Sequence, residues 1–384
     1  MAITIAEINT RNLRHNLQMV RQQVGNIPIL AMVKANGYGH SVIDVSRIFR
    51  TEKVEYLGVA LITEAKLLRD NGDNGKILVM VSPEPTDADT FIDSNIETAF
   101  SSFDIVQAFE QRARERDAVI TGHLYVDTGM HRDGFPPKDA LAVMDYVKDK
   151  PNINVVGLMT HLATSDSPEI DFADKQLSAF EKVRSSLENA GFHFKYIHAA
   201  NSAGIANYPK AHYSMVRPGI SLYGMMPTKQ LANKLNLKPV MTLKSRVMLV
   251  LNVPKGDFIG YSQTYTAQRD MVIAVVPMGY ADGLPRNLSN RFQVLINGTR
   301  YNSVGSICMD EFMVDITDSD VKRGDEVVIF GKQGNEEIDV YELAELSYSI
   351  PYERTAAISQ RVNREFIYES HRITNSKFNI THIM

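Results

Sequence analysis

A lysine at the end of an apolar run is the residue of this sequence best placed for covalent chemistry. Residues 29–33 form the run, Lys34 follows it, and Gly37, Tyr38 and Gly39 come next. Burial at a strand end lowers the pKa of a lysine, and the neutral amine can form a Schiff base. A lysine whose stem lies along apolar surface is the structural alternative. Tyr38 would stand beside whatever the lysine holds.

Two segments further along hold donors that a phosphate group needs. The first contains Asn201 and Ser202, and the second contains Arg217, Gly219 and Ile220. In a barrel of alternating strands and helices, the loops after strands seven and eight often bind phosphate. A surface arginine and an ordinary turn are the structural alternatives for Arg217 and Gly219.

The hydrophobic pattern predicts the scaffold that must position these groups. Eight apolar runs lie at residues 29–33, 57–60, 76–81, 96–99, 122–126, 155–160, 194–198 and 220–224. Helical spacing between them predicts helices at residues 62–70, 103–114, 138–148 and 172–190. Eight strand–helix units predict a (β/α)8 barrel. An open doubly wound sheet is the alternative, although no Gly-x-Gly-x-x-Gly turn follows the first strand.

The pattern changes near residue 240, where helical stretches become scarce. Strands are predicted at residues 241–253, 271–278, 291–296, 311–316 and 326–330, with Asn297-Gly298 as a hairpin turn. We therefore predict an α/β protein: a (β/α)8 TIM-like barrel over residues 9–238, followed by a mostly β C-terminal domain over residues 239–384. The strand-like residues 2–8 could pair with either domain.

Composition excludes several other classes of protein. The 384 residues carry 41 basic and 45 acidic side chains, and this balance argues against a nucleic-acid partner. No apolar run is long enough for a membrane helix, so we expect no membrane partner. A single cysteine and an N-terminus without a signal-peptide pattern predict a cytoplasmic protein.

Four motifs together resemble those of alanine racemase. They lie at residues 29–40, 214–224, 277–283 and 308–310, and their order and spacing span about residues 3 to 364. The resemblance implies a pyridoxal-phosphate enzyme of fold type III, with a barrel and a C-terminal β domain that includes the first strand. It implies interconversion of L-alanine and D-alanine, which supplies D-alanine for bacterial peptidoglycan.

The resemblance also assigns the catalytic and cofactor residues. Lys34 binds pyridoxal 5'-phosphate as a Schiff base and is the base on one face of the substrate α-carbon, and Tyr265 is the base on the other face. Two bases suit racemisation, because one base tends to return the proton to the side it left. Arg217 faces the ring nitrogen, which then stays unprotonated because a guanidinium keeps its proton. His161 links Tyr265 to Arg217. The other implied cofactor contacts are Tyr38, Asn201, Ser202, Gly219, Ile220 and Tyr352.

Substrate binding and assembly follow from the same resemblance. Arg132 and the backbone amide of Met309 contact the carboxylate of alanine, the small-molecule partner. Tyr265 and Met309 reach the active site of a second subunit, which implies a homodimer with shared sites. The resemblance implies no metal.

One position departs from the family pattern. Many members carry a carbamylated lysine seven residues before the Arg132 position, where this chain has Tyr125. A hydroxyl partner, a bound anion or a loose geometry could replace it. We expect an anion such as chloride, because an arginine in a closed site needs a counter-charge.

The sequence leaves three other functions open. A racemase of another small amino acid such as serine is the nearest, because a pocket discriminates weakly over one hydroxyl. A barrel-type decarboxylase of basic amino acids usually carries a run of glycines for the phosphate, and this chain has no Gly-Gly pair. A pyridoxal-phosphate-carrying binding protein would leave the β-rich region without a purpose.

Overall fold

The chain folds into two compact units. The computed structural model describes residues 3–167, 171–368 and 372–373. The barrel unit comprises Arg14–Leu222 and Met226–Leu237, and the β unit comprises Met1–Leu13, Tyr223–Met225 and Lys238–Met384. The sequence predicts a domain boundary between residues 238 and 239. In the structure, the chain enters the β unit for the last time between residues 237 and 238, one residue earlier.

The secondary structure alternates in the barrel unit and is mostly strand in the β unit. The strands are β1 (Ile5–Asn9), β2 (Leu30–Met32), β3 (Tyr56–Val59), β4 (Lys76–Val79), β5 (Glu97–Phe100), β6 (Ile120–Tyr125), β7 (Ile153–Met159), β8 (Tyr196–His198), β9 (Met241–Arg246), β10 (Leu249–Val253), β11 (Phe258–Ile259), β12 (Tyr265–Thr266), β13 (Met271–Val276), β14 (Gln293–Ile296), β15 (Thr299–Val304), β16 (Phe312–Asp315), β17 (Glu326–Gln333), β18 (Glu336–Ile338), β19 (Asn363–Ile367) and β20 (Arg372–Ile373). The helices are α1 (Thr10–Val24), α2 (Lys34–Tyr38), α3 (Val42–Thr51), α4 (Ile62–Asp70), α5 (Ala88–Ser94), α6 (Phe103–Glu115), α7 (Ala140–Val147), α8 (Phe172–Asn189), α9 (Ser202–Asn207), α10 (Lys229–Lys234), α11 (Val340–Leu346) and α12 (Pro351–Ala356).

The parallel strands β2 to β8 pair in sequential order, and a helix follows each of them. Strand β3 is buried along its whole length, as expected for a strand covered by helices on one side and by the barrel core on the other. The predicted helix at residues 62–70 coincides with α4. These elements confirm the TIM-like architecture.

The eighth barrel position is filled by a segment other than the one predicted. The Leu30 N–H donates to the Val216 carbonyl at 2.9 Å, and the Ser214 N–H donates to the Ile197 carbonyl at 3.1 Å. Residues 214–218 therefore lie between β8 and β2 and close the ring. The predicted strand at residues 220–224 was wrong, because Ile220–Tyr223 is a 3-10 turn. A short apolar run has no periodicity that separates a strand from a buried turn.

The β unit is built on an eleven-stranded sheet. Its order is β10-β13-β16-β15-β14-β17-β9-β1-β19-β20, with β18 on β17. Strand β1 pairs antiparallel with β9 and parallel with β19, so the first strand belongs to this unit. The single strand predicted at residues 241–253 was wrong, since β9 pairs with β1 and β17 whereas β10 pairs with β13. None of the described helices is long and apolar enough to cross a membrane.

Candidate active site

Several of the predicted site residues lie at the carboxyl end of the barrel strands. Lys34 comes after β2, Arg132 after β6, His161 after β7 and Arg217 within the closing segment. The carboxyl ends of parallel strands meet at one face of a barrel, where barrel enzymes carry their chemistry. Burial lowers the pKa of His161, and the charges of Arg217, Arg132 and Lys34 lower it further, so these four groups interact electrostatically.

The short element α2 is a left-handed turn after Lys34 rather than a right-handed helix. Ala35, Asn36 and Gly37 have φ values of 52, 54 and 63°, and Tyr38 has 53°. Left-handed backbone costs roughly 1–2 kcal/mol for each residue other than glycine, so the turn needs external support. The carboxylate of Glu64 supplies part of it by accepting from the Ala35 N–H at 2.7 Å.

Lys34 has the electrostatic environment of a reactive amine. Burial lowers its pKa, and so does the guanidinium of Arg132, whereas Glu64 and Asp133 raise it. A lowered pKa increases the fraction of neutral amine near pH 7, which a Schiff-base lysine requires. The sequence expectation for this lysine is therefore supported by its surroundings.

Arg217 is a buried cation held from several sides. Its Nη2 donates to the Thr160 carbonyl at 2.7 Å, to the Ala199 carbonyl at 3.2 Å and to His161 Nδ1 at 3.2 Å. Its Nη1 donates to both Nδ1 and the carbonyl of His198, each at 2.9 Å. Burial lowers the pKa of Arg217 to about 10, so the group is charged at pH 7.

His161 is neutral in this arrangement. Burial and the neighbouring cations lower its pKa well below the ordinary value. Because Arg217 can only donate, His161 Nδ1 must accept, and the proton of the neutral ring lies on Nε2. His161 can therefore donate one hydrogen bond from Nε2 to a second partner.

Ser202 and Gly219 lie in a closely packed group of buried residues. The Ser202 Oγ accepts from the Gly219 N–H at 2.9 Å and contacts the Ser221 Oγ at 3.0 Å. A Cβ at Gly219 would lie 2.4 Å from the hydroxyl oxygen of Tyr38, so a side chain there would force the tyrosine or the loop to shift. Ile220 is buried beside it at the start of the 3-10 turn. The structure thus brings together four of the six additional cofactor contacts that the sequence predicts.

Asn201 has local partners for its side chain. Its Oδ1 accepts from the Gly204 N–H at 2.9 Å and from the Ser165 hydroxyl at 2.8 Å, which caps α9. A capping side chain fixes the start of its helix. This geometry positions Ser202, the next residue, and the predicted cofactor contact of Asn201 itself stays a prediction.

Arg132 has two partners in the barrel unit. Its Nε lies 3.1 Å from Asp133 Oδ2, and its side chain is about half exposed. Burial raises the pKa of the Tyr125 hydroxyl. The charge of Arg217 lowers this pKa, and Arg132 lowers it further through its charge and through a side-chain hydrogen bond. A hydroxyl and a carboxylate thus stand near this arginine. The chloride ion expected from the sequence stays a prediction.

The other three predicted site residues belong to the β unit. Tyr265 opens β12, pairs with Ile259 and packs against a buried apolar cluster. Met309 is 52% exposed, and its carbonyl accepts from the Ala281 N–H at 3.0 Å. Tyr352 lies half-buried in α12.

Sequence reasoning missed the residues that hold the site in place. His198 binds Arg217, Glu64 holds the turn after Lys34, and Asp133 faces Arg132. One signal was available for His198, because it ends the predicted strand at residues 194–198, where a barrel carries its chemistry. No sequence pattern marks Glu64, whose partner lies 29 residues away.

Known proteins match this chain along most of its length. Family models match over residues 8–227, described as the alanine racemase N-terminal domain, and over residues 240–366, described as the alanine racemase C-terminal domain. An alanine racemase of Desulforamulus reducens is 40% identical over 94% of this chain and 98% of its own length. An alanine racemase of Carboxydothermus hydrogenoformans is 37% identical over 94% of this chain and 99% of its own length.

Solved structures give the same result. An alanine racemase of Clostridium difficile 630 superimposes with a TM-score of 0.92 at 34% identity, covering 97% of this chain and 98% of its own. These relatives cover 94% to 97% of this chain and therefore include parts of both the barrel unit and the β unit. This protein belongs to the alanine racemase family.

Proposed function

We propose that this chain is a pyridoxal-phosphate-dependent racemase that interconverts L-alanine and D-alanine. The observation that carries the proposal is Lys34, an amine of lowered pKa that stands near the cations Arg132 and Arg217 at the carboxyl end of the barrel. A covalently held cofactor with an anionic tail and an anionic substrate both suit such a site.

The residues present fit pyridoxal 5'-phosphate. The hydroxyls of Ser202 and Tyr38 and the backbone at Gly219 form a cradle that a Cβ would fill, which suits close approach of a phosphate. Arg217 suits a ring nitrogen, since it donates and keeps its proton. When bound, this cofactor supplies an electron sink that weakens the bond between the α-carbon and its hydrogen.

The chain's own residues then move and hold protons. Lys34 Nζ holds the proton on one face of the α-carbon, and the Tyr265 hydroxyl holds it on the other. Arg217 donates to the ring nitrogen without protonating it, which limits the electron sink and disfavours side reactions such as transamination. Arg132 and the backbone amide of Met309 orient the substrate carboxylate.

We further propose that Tyr265 and Met309 act in the site of a second copy, in a homodimer. Met309, Tyr261 and Tyr280 in the β unit are 52%, 69% and 43% exposed. Exposed large apolar side chains of this kind favour an interface. The cytoplasmic location and the supply of peptidoglycan stay predictions.

A chiral assay of the purified protein tests the proposed function. With pyridoxal phosphate, either enantiomer of alanine should convert to the racemate. Borohydride reduction followed by peptide mapping should locate the cofactor on Lys34. Lys34→Ala should lose about 10⁴-fold in activity and the cofactor label, whereas Lys66→Ala, at an exposed position of α4, should keep both.

Other substrates give the contrary outcomes. Faster conversion of serine than of alanine would assign the chain to another small amino acid. Release of CO2 from lysine, ornithine or diaminopimelate without racemisation would replace the proposal by a decarboxylase.

A further inference from the structure

Arg217 is a buried cation whose direct partners are all neutral. In the described part of the chain, its guanidinium donates to two imidazole nitrogens and three backbone carbonyls. Arg217 is 3% exposed. Buried charges usually have a partner of opposite charge, so the counter-charge of this arginine must be sought further away.

A line of hydrogen bonds leads from Arg217 to a carboxylate. Arg217 Nη1 lies 2.9 Å from His198 Nδ1, and His198 Nε2 lies 2.7 Å from His123 Nδ1. His123 Nε2 lies 3.2 Å from Glu97 Oε2. Both imidazoles are fully buried, and Glu97 is 12% exposed.

The arginine fixes the direction of every proton along this line. Arg217 only donates, so His198 Nδ1 accepts, and the proton of the neutral ring lies on Nε2. His198 then donates to His123 Nδ1, which places the His123 proton on Nε2, where it is donated to the Glu97 carboxylate. Burial lowers the pKa of both rings, which agrees with two neutral imidazoles between a cation and an anion.

The line crosses the barrel from one end to the other. Arg217 lies in the closing segment at the carboxyl end, whereas Glu97 is the first residue of β5. There the Tyr56 hydroxyl donates to Glu97 at 3.1 Å, and Lys76 Nζ donates to the Tyr56 hydroxyl at 3.1 Å. Barrel interiors are usually filled with apolar layers, so a polar line through one is a costly feature unless all its members are satisfied.

The packing leaves room for this line and holds its rings. A Cβ at Gly157 would lie 2.1 Å from His123 Nδ1, so glycine is required there. The Tyr196 ring stacks on His123 at 5.9 Å with an interplanar angle of 6°. The His123 ring therefore has one orientation.

We propose that Glu97 is the counter-charge of Arg217 and that His123 and His198 transmit its effect through the barrel core. These three are positioning residues: they hold the arginine and strengthen its binding to the ring nitrogen of the cofactor. The first half concerns this chain alone, and the second half rests on the proposed function.

The protonation pattern is tested first, on the cofactor-free protein. Nitrogen NMR of histidine-labelled protein should show His123 and His198 neutral with the proton on Nε2 from pH 6 to 8. A proton on Nδ1 of either ring, or a charged ring, would overturn the proposal.

The effect on the cofactor is tested with a matched pair of ligands. Pyridoxal phosphate and its 1-deaza analogue differ only in the ring nitrogen. Glu97→Gln should weaken binding of pyridoxal phosphate about tenfold, which is ~1.4 kcal/mol, and leave binding of the analogue unchanged. A purely structural lesion would weaken both equally, and that result would refute the transmitted effect.

Glu115→Gln is the control variant. Glu115 ends α6 and accepts from Arg112 Nη1 at 3.0 Å, without a bond to the imidazoles of the line or to Tyr196. It should bind both ligands as the unaltered protein does. If the unaltered protein bound neither ligand, the proposed function would fail. If Glu97→Gln weakened the binding of both ligands equally, only the transmitted effect of Glu97 would be refuted.

Discussion

The barrel unit and the β unit contribute to the candidate site in different ways. In the barrel unit, Arg217, His161 and Ser202 hold fixed places through hydrogen bonds to one another or to nearby backbone. In the β unit, Met309 is about half exposed and Tyr265 lies at the start of a two-residue strand. This difference fits the proposal that the barrel unit holds the cofactor and that the β unit supplies residues to the site of another copy.

Mixing of two inactive variants tests this division most strongly. Lys34→Ala should be inactive, and Tyr265→Ala should lose about 10²–10³-fold because a general acid–base group is missing. A mixture that exchanges subunits should recover about a quarter of full activity, because half of the dimers carry one intact site of two. An assay before and after exchange measures this recovery.

The same mixture can contradict the shared site. If Tyr265 acts within its own copy, the mixture stays as inactive as its components. Lys34→Ala mixed with a Lys34→Ala, Tyr265→Ala double variant is the control, and it should recover nothing.

Acid should weaken the barrel unit more than the β unit. All eight histidines of the described chain lie in the barrel unit, and burial lowers the pKa of His123, His161 and His198. Their folded pKa values lie below the unfolded value near ~6.5, so stability is complete above that pH and falls as the pH drops below it. Each histidine contributes up to ~1.4 kcal/mol per pH unit to the loss.

Hydrogen exchange at pH 5.5 and 7.5, corrected for intrinsic rates, measures this difference between the units. Protection should fall in β6, β7 and β8 and change little in β13 and β14. His193→Gln replaces an exposed histidine and should leave the difference in protection between the two units unchanged. A uniform loss over both units would contradict the assignment to buried histidines.

A methyl group at Gly219 should disturb the cofactor cradle. Its Cβ would meet the Tyr38 hydroxyl at 2.4 Å, so either the tyrosine or the loop must shift. Gly219→Ala should weaken binding of pyridoxal phosphate about tenfold, measured by titration of the cofactor-free protein. Gly204→Ala on α9, whose nearest contact would be 3.3 Å, should bind normally, and equal behaviour of the two variants would argue against the cradle.

Removal of one hydroxyl near Arg132 should have the smallest effect. Tyr125→Phe loses the hydrogen bond to Arg132 but keeps the ring, so the KM for alanine should rise about threefold with kcat almost unchanged. Tyr146→Phe, on α7, is the control. If chloride rather than Asp133 balances Arg132, exchange of chloride for gluconate should raise the KM of the unaltered protein.

Much of the fold was predictable because it follows from local pattern. Helix α4 coincides with the predicted residues 62–70, and the first seven predicted barrel strands overlap β2 to β8. The eighth was wrong because its true segment, residues 214–218, contains Arg217 and Pro218 and has no apolar run, whereas the buried turn after it has one. Barrel closure depends on pairing between distant segments, which periodicity does not report.

In the candidate site, too, some residues could be predicted from the sequence and others could not. The types and order of Lys34, Arg217 and Tyr265 were readable in the sequence, since reactive groups stand in short recognisable motifs. The sequence by itself thus determined the family and the alternating architecture, and its motifs named Lys34, Arg217 and Tyr265 as the proposed groups for the chemistry. Only the tertiary structure decided which groups hold them: Glu64 at the turn, Asp133 at Arg132, and Glu97 through two histidines at Arg217. The reason is physical, because hydrogen-bond partners must meet in space, and the fold brings them together independently of their separation along the chain.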